Sequence, residues 1–267
     1  MQPTTLILRT AGTNCDEETA YAFELAGART EKIHVNRLMA DPGLLDKYQL
    51  LAIPGGFSYG DDIAAGRILA NQIAHHLSDA LHAFVDSGRP VIGICNGFQV
   101  LVKTDLLPGP LAGRTGQTCT LIHNDSGRFI DRWVRVSARG RKCVWTAGLE
   151  DLDLPIAHGE GKFVTSGQTV LKGLWDDERV AMVYVKPEGS PAGGEWPHNP
   201  NGSVDDIAGI CDASGLVFGL MPHPERHVDA TQHPAWTRHR ISATEGAGLA
   251  VFRNAVRHVD QTLGAGV

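Results

Sequence analysis

A cysteine becomes a strong nucleophile once it loses its proton, and Cys95 stands where a fold would expose such a group. It lies in Val91-Ile92-Gly93-Ile94-Cys95-Asn96-Gly97-Phe98-Gln99, where an apolar strand pattern runs into Gly-x-Cys-x-Gly and then a helical pattern. This is the layout of a nucleophile elbow, with cysteine in place of serine. The turn crowds the backbone, so glycine is needed at 93 and 97. It lifts the side chain at the carboxyl end of a sheet and sets it at a helix N-terminus, whose positive end favours thiolate. The amide of Asn96 then faces an oxyanion forming beside the sulfur. A lone cysteine is most often an inert buried residue, but here the strand, both glycines and the helix start agree.

A thiolate attacking an amide needs a base that can also protonate the departing nitrogen, and histidine suits both tasks. Of 12 histidines, His223 stands out in Leu220-Met221-Pro222-His223-Pro224-Glu225, directly after an apolar run. The prolines hold the segment extended, so His223 and Glu225 project to the same side. Glu225 can then fix the imidazole tautomer, the orienting role in a triad. A third segment, Ile53-Pro54-Gly55-Gly56-Phe57-Ser58, also ends an apolar run. Its glycine amides could supply a second oxyanion donor, because backbone without Cβ approaches a substrate closely.

The elements that must position these groups read as an α/β chain. Strands are expected at 5–10, 32–35, 50–53 and 91–94. Helices are expected after Asn14 as N-cap and ending near Gly27, over about 67–85, over 96–103 and over 246–263. Continuous apolar strands alternating with helices predict an open, mostly parallel sheet with helices on both faces. Residues 115–145 and 154–185 read as additional strands, antiparallel in part, and 189–201 as a loop. Apolar runs 207–212 and 216–221 flank a short turn and predict a hairpin. No linker or repeat divides the chain, so one domain over 1–267 is expected.

Composition narrows the function classes. The chain of 267 residues is 42% hydrophobic and 20% charged, with a formal net charge of −6. That balance suits a soluble globular protein and gives no reason to expect nucleic acid or a membrane as partner. No apolar stretch is long enough to span a membrane, and the N-terminus lacks a basic leader pattern, so a cytoplasmic protein is expected. The five cysteines, at 15, 95, 119, 143 and 211, are scattered and form no CxxC pair, which argues against a disulfide framework or structural zinc. His227, His233 and His239 are not at metal-ligand spacing, so no metal is expected. The pair His75-His76 reads as solvated surface.

Gly-x-Cys-x-Gly after a strand, His-Pro-Glu downstream and Pro-Gly-Gly upstream together resemble the class I (triad) glutamine amidotransferases. The segments Gly12-Thr13-Asn14-Cys15-Asp16, Phe57-Ser58-Tyr59-Gly60-Asp61, Asn124-Asp125-Ser126-Gly127-Arg128-Phe129, His158-Gly159-Glu160-Gly161 and His223-Pro224-Glu225-Arg226 narrow the match. They resemble the branch that serves as glutaminase subunit of phosphoribosylformylglycinamidine synthase in purine biosynthesis. The likeness spans roughly residues 5–230.

The resemblance implies that Cys95 forms a γ-glutamyl thioester, with His223 as base and acid and Glu225 as its orienter. It implies an oxyanion hole from the amides of Gly56 and Asn96. Gln99 would contact the substrate glutamine, and the backbone of His158, Gly159 and Glu160 would hold its α-amino and carboxylate groups. No cofactor is implied in this chain. Gly113-Arg114-Thr115-Gly116 lacks the lysine and spacing of a phosphate loop, so ATP and Mg would sit on a large synthetase partner, with a small bridging subunit completing the complex. Released ammonia would pass through a channel, because in bulk water it is protonated and no longer nucleophilic. The 231–243 stretch, rich in His and Arg, departs from the family pattern. The rival readings are an amidotransferase subunit serving another synthetase, a PfpI-like cysteine hydrolase on a related sheet, and a non-enzymatic subunit that keeps only the fold.

Overall fold

The computed structural model of the chain describes residues 2–111, 113–238 and 244–263. Strands β1 (Thr4–Arg9), β2 (Arg29–His34), β3 (Leu50–Ile53) and β4 (Val91–Ile94) alternate with helices α1 (Asp16–Leu25), α2 (Val35–Ala40), α3 (Arg67–His76), α4 (Ser78–Asp86) and α5 (Asn96–Leu101). There follow β5 (Cys119–Ile122), β6 (Ile130–Ala138), β7 (Asp151–His158), β8 (Lys162–Thr165), α6 (Gln168–Asp176), β9 (Val180–Val185), β10 (Ile207–Cys211), β11 (Val217–Leu220) and α7 (Leu249–Thr262).

Nine strands form one sheet in the order β2-β1-β3-β4-β11-β10-β9-β6-β7, and β5 pairs with β8 in a second, two-stranded sheet. The pairings from β2 to β11 are parallel, and those from β11 through β7 are antiparallel. Every residue of β3, β4, β9, β10 and β11 is buried. Strands covered on both faces hold few polar groups, which is why these read as unbroken apolar runs. Ligand sites of such sheets lie beyond the carboxyl ends of the parallel strands. Here β1, β3, β4 and β11 are contiguous, so their following loops meet at one edge.

The expected α/β plan with added antiparallel strands is found, and several local readings are corrected. The helix expected over 67–85 is two helices, because Leu77 leaves helical geometry at φ −127°, ψ −1°. Leu69, Ile73, Leu77, Leu81 and Phe84 are all buried, so the apolar stripe stays in phase across the break and periodicity cannot reveal it. Asn14 does not cap α1. Cys15 holds that position, while Asn14 Oδ1 accepts from the Cys15 thiol at 3.2 Å. Val35 starts α2 rather than ending a strand. Residues 168–176, read as part of a strand region, form α6, whose buried Val170, Leu171 and Leu174 follow helical spacing. Within the stretch 231–243, residues 239–243, including His239, lie outside the described residues.

The glycines of the elbow answer to direct obstruction. A Cβ on Gly97 would stand 1.9 Å from the Ile53 carbonyl oxygen, and one on Gly93 would stand 2.6 Å from the Gly97 carbonyl oxygen. Backbone cannot rotate away as a side chain can, so α5 sits against β3 only because Gly97 lacks a Cβ, and against β4 only because Gly93 does. Gly97→Ala is expected to destabilise the chain by at least about 3 kcal/mol, read by denaturant unfolding at neutral pH. A loss under about 1 kcal/mol would show that α5 does not need this approach.

Candidate active site

Cys95 is the one non-glycine residue of the elbow with positive φ, at +51° with ψ −104°. Such backbone costs on the order of 1–3 kcal/mol and persists only where its surroundings enforce it. Here the Cys95 N–H donates to Leu220 O on β11 at 2.8 Å, while its carbonyl accepts from Gln99 N–H at 3.1 Å. The strain turns the side chain out of the sheet edge into a cavity of about 240 Å³, which Cys95 lines together with Gly56, Gln99, His158, Gly159 and Glu160. A larger cleft of about 420 Å³ lies over β6 and β7, walled by Arg132, Trp133 and His198. No cysteine or buried histidine lines it, so the smaller cavity is where nucleophilic chemistry can occur.

His223 and Glu225 follow β11 as β4 is followed by Cys95, so the register that pairs Ile94 with Leu220 brings the two loops together. The His223 N–H donates to Pro155 O at 2.8 Å, which ties the loop to β7. His223 Nδ1 lies 2.6 Å from Glu225 Oε1, with the two side chains 2% and 0% exposed. Nδ1 therefore carries the hydrogen and Nε2 the lone pair in the neutral ring. Nε2 has no full hydrogen bond among the described residues. A Cβ on Gly55 would lie 2.8 Å from His223 Cε1, 3.0 Å from Cys15 Sγ and 3.5 Å from Cys95 Cβ, so the imidazole and both cysteines crowd one spot. Burial opposes charge on His223. The Glu225 carboxylate and the thiols of Cys95 and Cys15 overcome it and hold the imidazole well above the ordinary histidine range.

The main-chain amides of Gly56 and Asn96 donate to no acceptor among the described residues. The Asn96 side chain is spent on structure. Its Oδ1 accepts from Ser58 N–H at 3.2 Å, and its Nδ2 donates to Asp61 Oδ1 and Gln99 Oε1, each at 3.0 Å. Gln99 Nε2 donates to Glu160 O at 2.6 Å. Gln99 thus lines the cavity and also anchors the segment expected to hold the substrate's α-groups.

His158 is buried at the end of β7. Asn124 organises it, with Oδ1 3.1 Å from His158 Nδ1 and Nδ2 donating to His158 O at 2.9 Å. Burial, with the positive charge of His223 adding to it, pushes the His158 imidazole down to about 3. A histidine depressed in the fold but ordinary when unfolded contributes stability above about pH 6.5 that is lost as pH falls toward the folded value. Stability should fall by about 1.4 kcal/mol per unit below pH 6 through this group. His158→Gln should flatten that slope in unfolding curves taken between pH 6 and pH 4.5. An unchanged slope would assign the acid sensitivity elsewhere.

Of the nine residues expected at the site, Gly56, Cys95, Gln99, His158, Gly159 and Glu160 line this cavity, and the buried Asn96, His223 and Glu225 stand behind its lining. Sequence reasoning did not single out three residues that pack against the site: Asp61, Asn124 and Cys15. Each lies in a short segment quoted above for its likeness to a family, and that was the available signal. Their partners are remote in sequence, so their tasks were not readable. Cys15, His223 and Glu225 bring three potential ligand atoms within 4.8 Å of one another.

Residues 2–259 match the CobB/CobQ-like glutamine amidotransferase domain. The chain is 49% identical to a Dehalococcoides mccartyi protein named phosphoribosylformylglycinamidine synthase subunit PurQ, over 96% of this chain and 98% of that one. It is 44% identical to the Treponema denticola protein of the same name, over 85% and 89%. Among solved structures, a chain of PurLQS from Thermotoga maritima superposes with a TM-score of 0.72 at 30% identity, covering 97% of this chain and all of that one.

Proposed function

The chain belongs to the CobB/CobQ-like glutamine amidotransferase family, and on that premise we propose that it hydrolyses glutamine through Cys95, His223 and Glu225 and hands the ammonia to a synthetase partner. The relatives named as phosphoribosylformylglycinamidine synthase subunits assign it to the amidation of formylglycinamide ribonucleotide in purine biosynthesis. The observation that carries the chemistry is the strained Cys95, opening on a cavity and backed by a buried, carboxylate-paired imidazole.

His223 Nε2 holds the proton given up by the Cys95 thiol, and the thiolate attacks the glutamine side-chain carbonyl. The amides of Gly56 and Asn96 stabilise the oxyanion. The imidazolium then protonates the leaving nitrogen, ammonia departs and a γ-glutamyl thioester stays on Cys95. Water, deprotonated by His223, releases glutamate. Glu225 keeps Nδ1 protonated throughout and faces the imidazolium charge. The main chain of His158, Gly159 and Glu160 receives the substrate's α-groups, with Gln99 holding that segment in place.

Partners follow from the solved relative, a chain of PurLQS from Thermotoga maritima. A large synthetase subunit carries ATP and Mg, and a small subunit bridges the two. Among the described residues no helix is long and apolar enough to cross a membrane. The cytoplasmic setting rests on the biosynthetic subunits named among the relatives. One domain over 1–267 is supported by a single sheet drawing strands from residue 4 to residue 220.

A glutamine-analogue alkylator tests the site. It should label Cys95 and spare Cys15, Cys119, Cys143 and Cys211, which are buried and do not line the cavity. Labelling should stop ammonia release in the complex assembled with its synthetase. Label on another cysteine, with glutamine turnover intact, would displace Cys95 from this role.

A further inference from the structure

Cys15 lies where β1 turns into α1, and nothing in the proposed chemistry uses it. It is 1% exposed and does not line the cavity. Its sulfur is within 4.8 Å of an imidazole nitrogen of His223 and of a carboxylate oxygen of Glu225. Arg226 Nη2 donates to that sulfur at 3.1 Å, and Arg226 Nε donates to Glu18 Oε1 at 3.1 Å. Burial, largest of several opposing influences, pushes the Cys15 thiol up, so it keeps its proton at neutral pH. That single S–H points to Asn14 Oδ1 at 3.2 Å. The sulfur therefore turns only lone pairs toward Arg226 and His223. A cation held by Cys15, His223 and Glu225 would meet the Arg226 guanidinium at once, so a supporting network fits the cluster better than a metal centre.

We propose that Cys15 is a positioning residue of the glutaminase reaction: anchored by Arg226 and Glu18, its sulfur supports the His223 imidazole from α1 and stabilises the charged form that protonates ammonia. The proposal rests on the function given above. Three features agree with it. Gly55 must lack a Cβ for Cys15 Sγ and His223 Cε1 to share their space. The Cys15 N–H donates to Gly55 O at 3.3 Å, which fixes the loop carrying the sulfur. The thiol makes no cap bond to α1, so it is not retained to start the helix. The other groups that set the charge of His223 are Glu225 and Cys95, which favour it, and the buried His158, which opposes it.

The test compares Cys15→Ala with Cys15→Ser, because serine restores an acceptor and alanine does not. Two quantities are read: the pH profile of kcat/KM for glutamine in the assembled enzyme, and the titration of His223 in the chain by ¹⁵N-histidine NMR, assigned by its loss in His223→Gln. In Cys15→Ala the alkaline limb of the profile and the His223 titration should both move down by about one pH unit. In Cys15→Ser they should move by less than half as much. KM should hold, because the sulfur lies outside the cavity. A folded Cys15→Ala with both quantities unmoved overturns the proposal, as does a Cys15→Ser shift equal to that of alanine. Should Cys15→Ala fail to fold, Cys15→Val carries the same expectation. If the parent complex hydrolyses no glutamine while the NMR shift appears, the function fails and the support of His223 by Cys15 stands.

Discussion

Replacing Cys95 with alanine is expected to lower glutamine hydrolysis by at least about 10⁴-fold while leaving the chain folded. The scale follows from the thioester. Without the sulfur there is no covalent intermediate, and water would have to attack an amide directly with only the amides of Gly56 and Asn96 assisting. Folding should survive because the elbow is held by main-chain bonds from Cys95 to Leu220 and Gln99, which alanine retains. Its positive φ costs alanine no less than it costs cysteine, so no stability gain is expected. In the complex, synthesis driven by added ammonium should persist, because the partner consumes ammonia wherever it arises. The two assays together decide the matter. Loss of glutamine-driven synthesis alone fits a nucleophile. Loss of both would make Cys95 structural, and retention of both would end the proposed role.

The second large effect is expected from Glu225→Gln, a change that conserves shape and removes charge. Glu225 is wholly buried and 2.6 Å from His223 Nδ1. A glutamine amide there can offer N–H to Nδ1, which drives the ring hydrogen to Nε2. In that tautomer the ring cannot accept the thiol proton. A loss of kcat on the order of 10³- to 10⁴-fold is expected, as for the corresponding change in serine triads. KM for glutamine should stay close to the parent value, since Glu225 does not line the cavity. The pH dependence has a definite sign. The Glu225 carboxylate helps to raise His223 in the fold, so the stability contributed by this pair is full below the unfolded histidine value and is lost as pH rises through the folded one. Glu225→Gln should therefore cost most stability at low pH and progressively less at high pH. An unchanged kcat, or a loss confined to KM, would remove Glu225 from its orienting role.

Some of this was open to inspection in the chain alone. The Gly-x-Cys-x-Gly pattern after a buried strand specifies an elbow, because only glycine tolerates a carbonyl 1.9 Å from where a Cβ would be. The His-Pro-Glu segment signals a local pair, but it does not stay extended as expected: Pro224–Arg226 make a short 3-10 turn after His223, and that turn brings the Glu225 carboxylate to the imidazole. Strands β1, β3, β4 and β11 were readable because burial on both faces forbids polar interruptions, whereas β2, RTEKIH at the sheet edge and mostly exposed, was legible only in its last part. Where one residue could change geometry without disturbing the apolar stripe, as at Leu77, the chain gave no warning. Where a short apolar run suited either element, as at 168–176, helix won through its packing.

What local sequence determined, then, is each part of the site: a cysteine forced out of a turn, a histidine paired with a carboxylate, a glycine loop with free amides. Their meeting was decided only by the tertiary structure. The loops after β1, β3, β4 and β11 share an edge because those strands are neighbours in the sheet, although several strands intervene in the chain between β4 and β11. Strand order is set by burying apolar faces globally, and no short window of sequence encodes it. The same holds for Cys15, whose sulfur acquires its neighbours Arg226 and His223 only when the first and last strands of the parallel region are packed into one layer.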